Sequence, residues 1–98
     1  MSREAVQSIS DIIETVLSRY FDLSEEKVRE LLSNDEFLDT VDYWLRQYLS
    51  PAGAVDCPQM MVMLDMMRRY EPDRLRDIVR KALEKALETM KIEVRERR

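Results

Sequence analysis

The side chains that could do chemistry in this sequence are carboxylates, lysines, four tyrosines and one thiol. The chain has no histidine, so it lacks the commonest general base and the commonest metal ligand. Nucleophile pairs that need histidine, and zinc sites that use it, are excluded for the same reason. The single glycine, Gly53, excludes the glycine-rich loops that cradle phosphates. The sequence therefore predicts a protein that is not an enzyme and that uses no cofactor.

Two patterns deserve weighing as sites. Asp35, Asp39, Asp42 and Arg46 fall at i, i+4, i+7 and i+11, on one face of a predicted helix. Carboxylates at this spacing could hold a divalent cation, but side chains on a convex helix face rarely converge enough. We interpret them as a solvated face on which Asp42 and Arg46 form an ion pair, and we predict no metal site. Cys57 has no basic neighbour in the sequence, which indicates an ordinary half-buried cysteine.

Five helical segments position these side chains, because apolar residues recur at helical spacing and nowhere with the period of a strand. We expect an all-α fold: a compact bundle of about five helices, four longer and one short, in a single domain of residues 1–98. The first predicted segment is Arg3–Tyr20, and the second is a short one that is capped by Ser24 and ends near Leu32. The third begins at the capping box Ser33–Glu36 and is closed by Pro51 and Gly53. The fourth is capped by Asp56 and runs to Tyr70, and the fifth is Pro72–Glu96.

The last segment is long for a domain of this size. A helix from Pro72 to Glu96 would span about 37 Å at 1.5 Å per residue, whereas a globule of this length has a diameter of roughly 33 Å. We therefore expect residues 92–98 to overhang the body and to be removable at little cost in stability. Trp44, on the third segment, is expected to anchor the core, and its neighbour Tyr43 to be exposed.

The fourth segment carries apolar side chains almost all the way round its cylinder. Such a helix is either buried at the centre of the fold or covered by a partner, and the sequence leaves both interpretations open. Methionine suits adaptable binding surfaces, and a five-helix domain this small has difficulty enclosing one helix on every side. The function we predict is protein–protein association, with itself or within a larger assembly. The predicted interface consists of Met60, Met61, Met63, Leu64, Met66 and Met67.

The alternative function is contact with a nucleic-acid backbone through basic residues of the last two segments. The candidates are Arg69, Arg74, Arg76, Arg80, Lys81 and Lys85. Acidic residues interleave with them, so a solvated ion-pair surface competes with this interpretation. With a net charge of −4, we expect such contact only inside an assembly. Small helical subunits of CRISPR effector complexes and archaeal viral proteins are similar in size and class, but no motif selects either.

Composition limits the class of protein and the cellular compartment. The chain is 45% hydrophobic and 37% charged, and no apolar run approaches the roughly 18–20 residues that span a membrane. The first five residues include an acid, unlike a secretory signal, and the single cysteine fits a reducing compartment. We expect an intracellular, cytoplasmic protein without membrane contact. Abundant Glu and Arg with short loops resemble thermophile usage, whereas seven methionines argue against it.

Overall fold

Six helices lie in the part of the chain that the structure, a computed structural model, describes: residues 3–50 and 55–97. They are α1 (Glu4–Ser8), α2 (Ser10–Tyr20), α3 (Glu25–Leu32), α4 (Asp35–Leu49), α5 (Cys57–Tyr70) and α6 (Pro72–Thr89). The only extended pairing within those residues is a single antiparallel bridge between Phe21 and Glu96. The predicted all-α bundle is confirmed. Pro51 and Gly53, predicted to close the third helix, lie outside the described residues.

Side-chain caps decide where three of the helices begin. Ser24 and Asp56 each accept a hydrogen bond from the backbone N–H three residues on, at 3.1 and 2.9 Å, as predicted. The cap of α4 is Asn34 at 3.0 Å, one residue later than the predicted Ser33. Ser33 instead closes α3, because its hydroxyl donates to the carbonyl oxygen of Arg29 at 2.9 Å.

The predicted first helix is interrupted. Ile9 leaves helical geometry, with φ −118° and ψ 24°, and separates α1 from α2. Its N–H bonds to the carbonyl of Val6 rather than to the residue four positions back, at 3.1 Å. Ile9 remains buried despite the break. The apolar spacing predicts helix on both sides of Ile9, as found, but it does not indicate a one-residue interruption of the backbone.

The core forms where α4 and α2 pack on α6, with α5 closing it against α1 and α6. Phe37, in the first turn of α4, is a fully buried residue of this core. Trp44, predicted for that role, lies half-buried at the rim, where its indole N–H donates to the hydroxyl of Thr89 at 3.2 Å. Tyr43 is exposed, as expected. None of the helices in the described ranges combines the length and apolar composition that would cross a bilayer.

The prediction that α6 continues to Glu96 is wrong, because the helix ends at Thr89. Lys91 takes a left-handed conformation with φ 58°, and its N–H bonds to the carbonyl of Glu88 at 3.0 Å. The N–H of Ile92 bonds to the carbonyl of Leu87 at 2.9 Å. These two bonds form a Schellman motif, whose left-handed position is usually a glycine. Because the residue at this position is a lysine and not a glycine, the sequence does not indicate that the helix ends here.

Residues 92–97, here called the C-terminal tail, therefore return to the body instead of overhanging it. The N–H of Asp22 donates to the carbonyl of Arg95 at 2.8 Å, and the N–H of Arg97 donates to the carbonyl of Tyr20 at 2.7 Å. Ile92 and Val94 pack against the core. The expectation that this segment is free of the body is accordingly wrong, and its paired amides should resist hydrogen exchange.

Candidate interaction surface

The structure divides the methionine-rich helix α5 into an inner and an outer side. Met60, Leu64 and Met67 are core residues, with exposed fractions of 0%, 1% and 7%. These three residues of the predicted interface lie on the side of the helix that faces α1 and α6, inside the fold and not on its surface. Met61 is half-buried in a depression beside Ile9, the residue between α1 and α2. Of the six predicted residues, Met66 is exposed and Met63 is half-buried.

The outer side of α5 carries a line of apolar groups that we call the α5 stripe: Val62, Met66 and Tyr70. Their exposed fractions are 62%, 51% and 71%. Since they follow one another at i, i+4 and i+8, they lie along one face of the helix. The prediction omitted Val62 and Tyr70, although their spacing from Met66 was a readable signal. Three of the four large hydrophobic side chains that are exposed in the described residues belong to this stripe.

A groove of about 590 Å³ opens beside one end of the stripe, and we call it the α5 groove. Its walls come from the end of α4 and the first turns of α5. They include the apolar side chains of Leu49, Val55, Pro58, Val62 and Met63. The groove therefore continues the apolar surface of the stripe toward the N-terminus of α5.

Charged residues border the stripe and link α5 to α2. Arg68 is exposed and lies 2.7 Å from Asp11 of α2 at the surface. The hydrogen bond from Arg68 is the main reason that the pKa of Asp11 lies below its usual range. Arg69 turns outward and pairs with Asp65 at 3.3 Å. One flank of the stripe thus presents one acid and one base, both more than half exposed.

The six residues predicted to contact nucleic acid all have a carboxylate partner. Pairs at i+3 or i+4 join them at nitrogen–oxygen distances of 3.3 to 3.9 Å: Arg69–Asp65, Arg74–Glu71, Arg76–Asp73, Arg80–Glu84, Lys81–Asp77 and Lys85–Glu88. Lys85 also lies over the ring of Trp44, 5.8 Å from its centroid. The interleaved acids noted in the sequence are therefore the partners of these basic residues. The arrangement has the geometry of an ion-pair surface.

The acidic line of α4 is not a uniformly solvated face. Arg3 lies between two of its members, 2.9 Å from Asp39 and 3.6 Å from Asp35. Asp42 is only 5% exposed and pairs with Arg46 at 2.8 Å, so the predicted pair is present but its acid is buried. Arg46 also donates to the carbonyl of Val55. This network ties α4 to the start of α5 and gives the buried charge of Asp42 a partner.

Side chains suited to covalent or metal chemistry do not converge. Cys57 is half-buried against the core. Across residues 3–50 and 55–97, no three Cys, Asp or Glu side chains are grouped closely enough to hold a metal ion. Comparison of the chain with protein-family models, with curated proteins and with solved structures found no match.

Proposed function

We propose that the chain is a non-catalytic protein–protein interaction module that forms a homodimer through the outer side of α5. The observation that carries this proposal is the α5 stripe, in which an ordered helix holds Val62, Met66 and Tyr70 in water. Exposed apolar groups in a contiguous patch mark interaction sites far more often than isolated ones do. The groove beside the stripe extends that patch.

A two-fold axis that runs between two copies of α5, perpendicular to both helices and at the level of Met66, matches this surface to a second copy of itself. In that antiparallel arrangement Met66 meets Met66 of the second copy, and Val62 faces Tyr70 of the second copy. Val62 and Tyr70 are eight residues apart, so the matched surface extends over about 12 Å of helix. Closed two-fold dimers are the commonest homo-oligomers, and each patch in them is self-complementary.

The α5 groove gives the same arrangement an anchor point. Tyr70 of the second copy would lie at the level of Val62, whose side chain forms one wall of the groove. Tyrosine is enriched among residues that dominate binding energy, because it buries a large ring with few rotatable bonds. The most exposed aromatic ring in the described residues and the apolar groove are thus brought together by one symmetry operation.

The charged flank is self-complementary under the same axis. Asp65 of one copy and Arg69 of the second copy would lie on the same side of the helix pair, at heights that differ by about 3 Å, and the two Asp65 side chains would differ in height by the same amount. Each acid can therefore pair with the base of the other chain, and these two equivalent contacts offset the repulsion between the acids. Opposite charges on the border of an interface favour one orientation over others. This complementarity is our reason for choosing a second copy rather than an unrelated partner.

The first experiment measures the mass of the protein in solution. A single-helix interface lies at the small end of the size range, so we expect a dissociation constant of about 1 µM or weaker. Sedimentation from roughly 1 to 300 µM should show mass rising from 11.7 kDa toward twice that value. Met66→Asp and Tyr70→Asp should abolish the rise, whereas Tyr43→Asp, an exposed tyrosine on α4, should not. A monomer throughout, or a dimer unaffected by the first two variants, contradicts the proposal.

The second experiment tests the orientation. Asp65→Arg and Arg69→Asp each place like charges across the proposed axis, so each variant alone should dimerise more weakly. In an equal mixture, every cross-chain contact joins opposite charges, so the two variants should form a heterodimer. Removal of the Asp65–Arg69 pair within one chain costs only about 0.3–0.5 kcal/mol, so both variants should stay folded. A mixture no more associated than its components would rule out this axis.

A further inference from the structure

A second surface, to which α5 contributes nothing, lies between the end of α2, the middle of α6 and the C-terminal tail. It is a cleft of about 1080 Å³, and we call it the arginine cleft. The residues of interest in its lining are Arg19, Tyr20, Arg80, Arg95, Glu96 and Arg97. Four arginines and one glutamate give its lining a formal charge of +3.

The docked tail builds this concentration of arginines. Because it is extended and hydrogen-bonded to residues 20–22, alternate side chains point to opposite sides. Ile92, Val94 and Glu96 line a depression against Glu84 and Leu87 of α6. Arg95 and Arg97 are both exposed and line the arginine cleft together with Arg19 of α2.

Two of the four guanidinium groups are held in place by the fold. Arg97 donates to the carbonyl of Phe21 at 2.9 Å and lies 3.6 Å from Asp22. Arg80 lies over the ring of Tyr20, 5.3 Å from its centroid, and 3.4 Å from Glu84. A guanidinium that is already positioned loses little entropy when it binds an anion.

The other two guanidinium groups have unused capacity. Within the described ranges, neither Arg19 nor Arg95 forms an ion pair, unlike every cation of the outer surface of α6. Glu96 also lines the cleft, but its carboxylate forms no ion pair with either of them; it lies with Glu84 in the depression on the α6 side of the tail. Two of the four positive charges in the lining, those of Arg19 and Arg95, therefore have no carboxylate partner among residues 3–50 and 55–97.

We propose that the arginine cleft binds a small ligand bearing a di- or triphosphate group. A guanidinium group can donate two parallel hydrogen bonds to a phosphate or to a carboxylate. A chain of linked phosphates differs from a single carboxylate because it can accept such bonds from several arginines at once. The cleft is larger than a single phosphate ion, and its arginines come from three separate elements. A ligand with two or three linked phosphates fits both the charge and the spread of donors.

The test is calorimetric titration of the full chain with inorganic triphosphate at low ionic strength. We expect saturable binding that weakens with salt, because the donors are exposed. The double variant Arg19→Gln, Arg95→Gln should weaken binding by about tenfold or more, since hydrogen bonds to charged groups are the strong ones. The control, Arg74→Gln with Lys81→Gln, removes the same net charge from paired residues of α6 and should leave the affinity within about twofold.

Three outcomes would overturn the proposal: no saturable binding of triphosphate, equal weakening in the control variant, or equal binding of citrate. The first would remove the site, and the second would show a response to net charge alone. Equal binding of citrate would show that phosphate chemistry is not selected. If a single-stranded oligonucleotide binds through Arg19 and Arg95 while triphosphate does not, the small-ligand class is wrong. None of these results depends on the oligomeric state, so they can be separated from the test of the dimer.

Discussion

Helices α5 and α6 follow one another in the chain and each buries one apolar face, but their outer sides differ. The outer side of α6 carries basic and acidic residues that pair with each other at i+3 or i+4 within the same helix. The outer side of α5 carries Val62, Met66 and Tyr70, which have no such partners along the helix axis.

The two outer sides differ in how their exposed side chains interact with each other and with water. Charges spaced three or four residues apart interact with each other and with water, so α6 needs nothing further. Apolar groups spaced in the same way remain in water until another surface covers them. The exposed residues thus recur with the same period on both helices. They differ in that those of α6 are charged and pair with each other, whereas those of α5 are apolar and favour association.

The largest effect should separate the two sides of α5. Leu64→Ala removes a fully buried side chain, so we expect a loss of about 2–5 kcal/mol in the free energy of unfolding. Met66→Ala removes an exposed side chain and should change the stability of the monomer by less than about 0.5 kcal/mol. Denaturant unfolding, at protein concentrations well below the dissociation constant of the dimer, measures the free energy of unfolding of both variants. Similar losses for the two variants would mean that the inner and outer sides are not distinct.

A smaller effect should follow from the turn that ends α6. Lys91 has a positive φ of 58°, where glycine avoids the steric penalty of a Cβ atom. We therefore expect Lys91→Gly to stabilise the fold by about 1 kcal/mol. The control Lys85→Gly lies inside α6 and should destabilise by a similar amount. Destabilisation by both variants would show that the chain does not turn back at this position.

The smallest effect concerns the pH dependence of the docked tail. The hydrogen bond and negative charge of Glu96, together with burial, raise the pKa of Glu84 above its ordinary value. A raised pKa in the folded state favours folding below the unfolded pKa of roughly 4.3, and this contribution is lost as pH rises through the folded value.

Replacement of Glu96 by glutamine should remove this repulsion while the Arg80–Glu84 pair stays intact. Because Glu84 is partly exposed, solvent screening should limit the gain to less than about 1 kcal/mol. We expect Glu96→Gln to exceed the native protein in stability at pH 7 and to lose most of that advantage near pH 4. Denaturant unfolding at the two pH values measures it. An advantage at pH 4 that equals the one at pH 7 would contradict the assignment.

Features that depend on residues within one helical turn could be predicted from the sequence. The caps Ser24 and Asp56, the starts and ends of α3 and α5, and the ion pair Asp42–Arg46 all rest on partners at most four positions apart. Apart from the cap of α4, which is Asn34 and not Ser33, the exceptions within this range are the break at Ile9 and the turn at Lys91. Neither residue is a glycine or proline, so neither carries a local signal of its conformation.

Tertiary structure alone decided which parts of these helices face water. The sequence determined that α5 is a helix apolar nearly all round, but only the packing of α1 and α6 against it made Met60, Leu64 and Met67 core and left Val62, Met66 and Tyr70 outside. The arginine cleft joins residues about 60 to 80 positions apart, from Arg19 to Arg80, Arg95 and Arg97. Spacing along the chain encodes contacts along a helix, whereas contacts between elements depend on how their faces fit together.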